Sequence, residues 1–245
     1  MGRVFAKPMR EDVRLIRVAT KGRHAWYQNK FMWLFIFLFG VLVSYPYSVG
    51  SNFRYYLYRA LFCVVILFTV YALSLRRSLL VIALVLAGPS IIQHTVYVAD
   101  LKSPIAVVNS FIALAFDVFI VVAIFRSVFS KARADSESIF GALCIYLFVG
   151  YSFTSIFVLL TYFQPHAFYL DPAVNNHAVL DRLDSVYYSF GTMTSLGAAG
   201  ITPVTGEARL LTIIEALLGV LFLAVLVSRL LSAYGIKEPT EKAEE

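Results

Sequence analysis

Residues 183–205 read LDSVYYSFGTMTSLGAAGITPVT, and this stretch decides how the rest of the chain is interpreted. Its first half is aromatic and semi-apolar, and either Asp184 or Ser185 can cap a helix there. Its second half, 195–203, is rich in small residues and is unsuited to a helix. The helical part has only about ten residues, whereas a membrane span needs about 20.

Long apolar runs surround this stretch. The chain of 245 residues is 60% hydrophobic and 15% charged, whereas soluble domains average about 45–50% apolar and about 25% charged residues. The runs that are long enough to cross a bilayer lie at 31–48, 55–75, 78–98, 104–125, 139–163 and 210–234. We therefore predict an all-α membrane protein with six transmembrane helices.

The basic residues indicate how these helices are oriented. Lys and Arg are frequent in the N-terminal segment and after the second, fourth and sixth runs, and sparse in the other connections. The positive-inside rule then places both termini in the cytoplasm of a multi-pass protein of the cell membrane. The net charge of +6 forms no stripe on a soluble domain, so we expect no nucleic-acid partner.

A short helix followed by irregular backbone, placed between two spans, is typical of a re-entrant loop. Irregular backbone is tolerated at membrane depth only where it is buried in protein or lines water. A helix that enters from outside points its C-terminus, with its unpaired carbonyl groups, toward the membrane centre. This arrangement favours a cation there.

The last third of the chain resembles the pore module of the potassium channel superfamily, and it is most similar to bacterial six-helix members without a regulatory domain. The family pattern is T-x-T-T-[VIL]-G-[YF]-G-D after an aromatic pore helix, often followed by I-T-P-x-T. This chain reads TMTSLGAAG at 192–200 and ITPVT at 201–205, and it has Glu215 and Gly219 in its last span.

The resemblance implies a selectivity filter in which backbone carbonyl groups bind permeant cations. It assigns ion contact to Thr194, Ser195, Leu196, Gly197, Ala198 and Ala199, with the Thr194 hydroxyl adding to the inner site. It assigns support of the filter to Thr192 and Gly200.

Three positions depart from the family pattern. Ala198 replaces the filter aromatic, Ala199 replaces the second filter glycine, and Gly200 replaces the aspartate that follows. We expect Ala199 to need a positive φ, which costs an alanine on the order of 1 kcal/mol. We therefore expect the inner filter to be retained, the outer filter to have another shape, and strict potassium selectivity to be weakened.

One re-entrant loop supplies a quarter of a filter, so the interpretation requires a homotetramer. We predict a channel that passes potassium or other monovalent cations, with membrane lipid around it and with no cofactor or resident metal. A channel for another ion, a non-conducting or regulatory subunit and a small secondary transporter remain as alternatives. No nucleophile–base pair or HExxH motif lies in the spans, so an enzyme is not expected.

The predicted organisation has four parts. A basic cytoplasmic segment at 1–30 precedes a four-helix peripheral domain at 31–130. The pore domain covers 136–234, and a cytoplasmic tail covers 235–245. The fourth run has no Lys or Arg, so we predict no steep voltage dependence.

Several polar residues within or near the spans carry two interpretations each. Glu215 either bonds the pore helix and holds the filter or lies at the outer interface, and Gly219 is either a hinge or a small packing residue.

Asp117 pairs with His94 or a nearby arginine, or senses protons. The histidines and aspartates of the outer loop attract cations or are simply solvated, and His166 and His177 lack metal-site spacing.

Overall fold

The computed structural model describes residues 30–45, 52–73, 81, 85, 87–88, 104–129 and 136–234. Its helices are α1 (Lys30–Ser44), α2 (Asn52–Ala72), α3 (Pro104–Phe129), α4 (Ser136–Phe163), α5 (Arg182–Met193) and α6 (Gly206–Tyr234). Two short strands, β1 (Phe168–Leu170) and β2 (Ile201–Pro203), complete the described secondary structure. The predicted third span, the basic N-terminal segment and the C-terminal tail lie outside the described residues, except for the isolated positions and single boundary residues given above.

Three helices in the described part of the chain are long and apolar enough to cross a membrane. They cover Val107–Val128, Glu137–Phe163 and Gly206–Leu231, in α3, α4 and α6. Two further apolar stretches are shorter than this criterion requires: Lys30–Ser44, which is α1, and Ala60–Ala72, which is part of α2. The protein is therefore a predominantly helical membrane protein, and three of the six predicted spans meet this criterion within the described residues.

Apolar side chains pack α1, α2 and α3 together with α4. Leu34, Ile66 and Ile120, one from each of the first three helices, are buried in a common cluster with Ile145 of α4. Because these residue types recur on one face of each helix, burying them joins the four helices. This cluster is the core of the part of the protein that α1, α2, α3 and α4 form.

A second apolar cluster packs α5 between α4 and α6. Three of its aromatic rings meet edge to face: the centroid distances are 5.6 Å for Phe157–Phe168, 5.1 Å for Phe157–Tyr188 and 5.0 Å for Phe168–Tyr188. Offset and edge-to-face rings are the favoured aromatic geometry. The cluster fixes the position of a helix of only 12 residues, about 18 Å long, which is too short to span a bilayer.

The N-terminus of α5 has a capping box that the sequence analysis located incorrectly. The capping residue is Asp181, whereas Asp184 or Ser185 was predicted. Asp181 Oδ1 accepts from the Asp184 amide at 2.7 Å, and Asp184 Oδ2 accepts from the Asp181 amide at 3.1 Å. Two amides that the helix leaves unpaired are thereby satisfied, which fixes its start at Arg182.

The two strands form an antiparallel pair that the sequence analysis did not predict. Tyr169 lies opposite Thr202, with Phe168 opposite Pro203 and Leu170 opposite Ile201. The pair joins the loop after α4 to the segment that leads into α6. The end of the irregular segment is therefore tied to the loop on the other side of α5.

Candidate functional site

The candidate site is the irregular segment 194–200, which connects the C-terminus of α5 to β2. Positive φ angles occur at Ser195 (59°), Gly197 (80°) and Gly200 (78°). The prediction that Ala199 needs a positive φ is wrong, because the turn has its positive φ angles at these three residues and not at Ala199. Ser195 is the one of these three residues that has a side chain, and a non-glycine residue at a positive φ is uncommon.

The carbonyl groups of this segment fall into two sets. No described residue donates a hydrogen bond to the carbonyl groups of Thr194, Ser195, Leu196, Gly197 and Ala199. Ala198 O accepts from the Ile201 amide at 3.2 Å. Five of the six carbonyl groups predicted to bind ions therefore have oxygens without a partner in the described chain. Their role in binding ions stays a prediction.

The bonded carbonyl groups connect the outer end of the segment to other elements. Gly200 O accepts from the Asp171 amide at 2.8 Å and from Asn175 Nδ2 at 3.0 Å. Gly200, predicted as a supporting residue, is thus held by the loop that follows β1. Because both of its carbonyl lone pairs have donors, this oxygen is not available to an ion.

Gly191 of α5 brings the segment close to the helix, and the sequence analysis did not single this residue out. The Gly197 amide donates to Gly191 O at 3.0 Å. A Cβ atom at position 191 would lie 2.7 Å from Gly197 O. Only glycine leaves this approach open, since real Cβ contacts are almost never so short. The sequence contains both glycines, but their spacing alone does not predict that the two residues approach each other, because the approach depends on the turn after α5.

Tyr187 is a second residue that sequence reasoning missed. Its Oη accepts a hydrogen bond from the Ala199 amide at 3.0 Å. The phenol therefore binds the backbone of the segment at the position next to Ala198, where the family has an aromatic ring. The aromatic character of α5 predicted helix packing, but a bond to a backbone amide twelve residues away has no sequence signature.

The predicted threonines lie at the end of α5. Thr192 is buried, and its carbonyl accepts from the Ser195 amide at 3.0 Å. Thr194 Oγ1 donates to Phe190 O at 2.6 Å. This bond uses the hydroxyl hydrogen of Thr194 and leaves its lone pairs available, as the predicted inner site requires.

Glu215 and Gly219 of α6 both contact α5. Glu215 is fully buried, with 0% exposure, and its Oε1 lies 2.5 Å from Ser189 Oγ. The structure thus places this carboxyl group against the Ser189 side chain of α5. A Cβ on Gly219 would collide with Met193 O. This contact supports close packing as the role of Gly219.

The loop before α5 and the first turn of that helix bring together three of the outer-loop side chains that the sequence analysis considered as one group. One oxygen or nitrogen atom each from His177, Asp181 and Asp184 lies within 4.8 Å of the others, while His166 is not part of the group. His177 Nε2 is 2.5 Å from Asp184 Oδ2. This hydrogen bond, with the charges of the two carboxylates, raises the pKa of His177, and burial raises the pKa of Asp181.

Asp117 of α3 faces a cavity of about 50 Å³ between the peripheral helices and α5. Arg182, the first residue of α5, lines the same cavity and attracts Asp117 electrostatically. No ion pair within 4.0 Å joins Asp117 to Arg126 or Arg182 among the described side chains. The predicted partner His94 lies outside the described residues, and so does the side chain of Arg59.

Comparison with known proteins bears on the same part of the chain. Residues 156–235 match the family model described as "Ion channel". No curated protein and no solved structure matches the chain. The match covers the C-terminal end of α4, from residue 156, together with α5, the irregular segment and α6, which is about a third of the 245 residues.

Residues 156–235 are therefore similar to ion-channel domains, and the resemblance to the potassium channel superfamily is confirmed for them. The match points to a channel rather than an enzyme, and to a membrane protein. It does not extend to α1, α2 or α3, which the family model leaves unmatched.

Proposed function

We propose that this chain is one subunit of a homotetrameric channel that conducts monovalent cations, potassium among them. The pore domain comprises 136–234, with α5 as a re-entrant pore helix, and residues 31–130 form a peripheral domain. The segments 1–30 and 235–245 lie in the cytoplasm. The protein is then a multi-pass component of the cell membrane.

The observation that carries this proposal is the set of unpaired carbonyl groups at the C-terminal end of α5. Thr194, Ser195 and Leu196 are consecutive and exposed, and their carbonyl groups accept no bond from the described residues. The negative end of a helix dipole adds to the partial charge of these oxygens. Such oxygens replace the hydration shell of a cation, whereas they repel an anion.

The exposure of α6 supports an oligomer. In α4, 67% of the membrane-length window is buried within the chain, against 17% in α6. Leu196 in the irregular segment is 80% exposed. A single chain surrounds neither surface, and four copies about an axis would cover both while completing a ring of carbonyl oxygens.

The proposed selectivity is for monovalent cations with a weakened preference for potassium. The filter residues are those from Thr194 to Ala199, in the sequence SLGAAG where the family has TVGYGD. Because Ala198 O and Gly200 O are bonded within the chain, the outer filter offers fewer oxygens than the inner filter. The lack of basic residues at 104–125 predicts no steep voltage dependence, so a current rising e-fold over a few millivolts would contradict that part.

Reconstitution in liposomes tests the proposal directly. Purified protein is placed under potassium and sodium gradients, and native flux is compared with that of the double variant Ala198→Tyr/Ala199→Gly. We expect the native chain to pass both ions and the variant to prefer potassium more strongly. A native protein of tetrameric mass is expected, whereas a monomer or dimer would favour a secondary transporter.

A non-conducting or regulatory subunit is the second candidate, and one observation favours it. The outer half of the segment is bonded to α5 and to the loop after β1, so it does not present a continuous row of free oxygens. A native tetramer that passes neither ion, beside a double variant that conducts, would identify this function.

Glu215 is proposed to hold the filter through α5. Replacing it by Leu removes the contact with Ser189 and is expected to lower ion flux more than it lowers tetramer assembly. Flux and oligomer mass are measured on the same preparation. Equal losses of both would contradict a role specific to the filter.

A further inference from the structure

Ser189 Oγ lies between two acceptor groups on different helices. It is 2.8 Å from Gly150 O on α4 and 2.5 Å from Glu215 Oε1 on α6. Ser189 and Glu215 are both 0% exposed, and Gly150 is buried. These distances are typical of O–H···O hydrogen bonds, so each contact requires a hydrogen atom.

The hydrogens in this arrangement can be counted. A serine hydroxyl has one hydrogen, a carbonyl group has none and an ionised carboxylate has none. With Glu215 ionised, a single hydrogen would serve two contacts, and one pair of oxygen lone pairs would face each other. A neutral carboxylic acid supplies the missing hydrogen, because it donates to Ser189 Oγ while Ser189 donates to Gly150 O.

The surroundings of Glu215 agree with this count. Its Oε2 has no hydrogen-bond partner, and no described lysine, arginine or histidine forms an ion pair with it. An unpaired ionised carboxylate is very costly in a buried membrane site, and a neutral acid costs much less. The titratable groups nearby are Tyr146 and Tyr188, whose hydroxyls contact Met193 O at 3.2 Å and Thr212 Oγ1 at 2.7 Å.

Gly150 O also accepts from Thr154 Oγ1 at 3.0 Å. This additional donor does not remove the need for a hydrogen between Ser189 Oγ and Gly150 O, since the two oxygens remain 2.8 Å apart. The count therefore depends on the two contacts of Ser189 alone.

We propose that Glu215 is a neutral carboxylic acid that donates to Ser189 Oγ, which donates in turn to Gly150 O. A single relay of two hydrogen bonds then joins α6, α5 and α4. Glu215 and Ser189 are positioning residues in this arrangement, since neither is proposed to contact an ion. Only the link from this relay to the filter rests on the proposed channel function.

Infrared difference spectroscopy of the full-length protein in liposomes tests the protonation state. At about pH 7.5, well above the usual range for a glutamate, the native spectrum should contain a protonated-carboxyl C=O band that Glu215→Gln removes. Ser189→Ala should shift this band, because the acid loses its acceptor. Asp117→Asn, at an acidic residue in the middle of α3, is the matched control and should leave this band in place. Loss of an ionised-carboxylate band in Glu215→Gln would overturn the proposal.

Thermal unfolding in detergent provides a second measurement that does not depend on conduction. An amide can also donate to Ser189 Oγ, so Glu215→Gln should melt within about 2 °C of the native protein, whereas Glu215→Leu should melt about 4–8 °C lower. Equal losses in the two variants would overturn the proposal. Failure of the channel function alone would abolish ion flux and leave both the infrared band and the difference in melting temperature.

Discussion

The inner and outer halves of the irregular segment differ in where their backbone finds partners. In the inner half, the carbonyl groups of Thr194, Ser195 and Leu196 accept no bond from the described residues. In the outer half, Gly197 contacts α5, Ala198 bonds Ile201, and Gly200 bonds the loop after β1. Backbone groups that find no partner in their own chain bond water or another molecule instead. The inner half therefore depends on ions, water or other subunits, while the outer half folds on its own chain.

The largest expected effect comes from placing a methyl group between the irregular segment and α5. Gly191→Ala places a Cβ atom 2.7 Å from Gly197 O, so the segment must move. We expect destabilisation by about 1–3 kcal/mol and loss of most ion flux, measured by thermal unfolding and liposome flux.

Gly206→Ala is the control for this variant, because a Cβ atom there meets nothing within 4 Å. It should leave both flux and melting temperature close to native values. A Gly191→Ala protein that conducts like the native one would show that the outer half is not held in this position during conduction.

A smaller effect is expected from releasing one bond of the outer half. Tyr187→Phe keeps the ring and removes the acceptor of the Ala199 amide, which costs about 0.5–1.5 kcal/mol. We expect a lower melting temperature and a changed ratio of potassium to sodium flux. Tyr169→Phe, at an exposed tyrosine of β1, is the control. An unchanged ratio of potassium to sodium flux would show that the bond between Tyr187 and Ala199 does not affect selectivity.

The smallest expected effect is the pH dependence of the loop that precedes α5. The hydrogen bond to Asp184 raises the pKa of His177 above its ordinary value of 6.5. A raised pKa contributes stability that is fully present below the unfolded value and is lost as the pH rises through the folded value. The melting-temperature difference between native protein and His177→Ala should therefore be larger near pH 6 than near pH 9.

His166→Ala is the control, since His166 is exposed and lies outside the cluster of three side chains. The magnitude for His177 is expected to be small, because its side chain is 44% exposed and solvent screens the pair. A difference that grows toward high pH would contradict the assigned ion pair.

The sequence predicted those features that depend on local composition. The apolar length of 139–163 and 210–234 located α4 and α6, whose observed starts are a few residues earlier, at Ser136 and Gly206. The small residues after Thr194 predicted irregular backbone. These predictions succeeded because span length and helix propensity are set by neighbouring residues.

Features that depend on distant residues were not predicted. The pairing of Tyr169 with Thr202, the approach of Gly197 to Gly191 and the bond from Ala199 to Tyr187 all require the turn after α5 to have formed. The error at Ala199 has the same origin. The family filter predicted its backbone angle, whereas in this chain the left-handed positions are Ser195, Gly197 and Gly200.

The strand pair also has a practical consequence for spectroscopy. Tyr169 is exposed on β1 and lies opposite Thr202, just beyond the outer end of the irregular segment. A fluorophore or spin label attached at position 169 would follow displacements of the neighbouring strand and would lie outside the segment proposed to bind ions. Rearrangements of the outer mouth could then be recorded while the protein conducts.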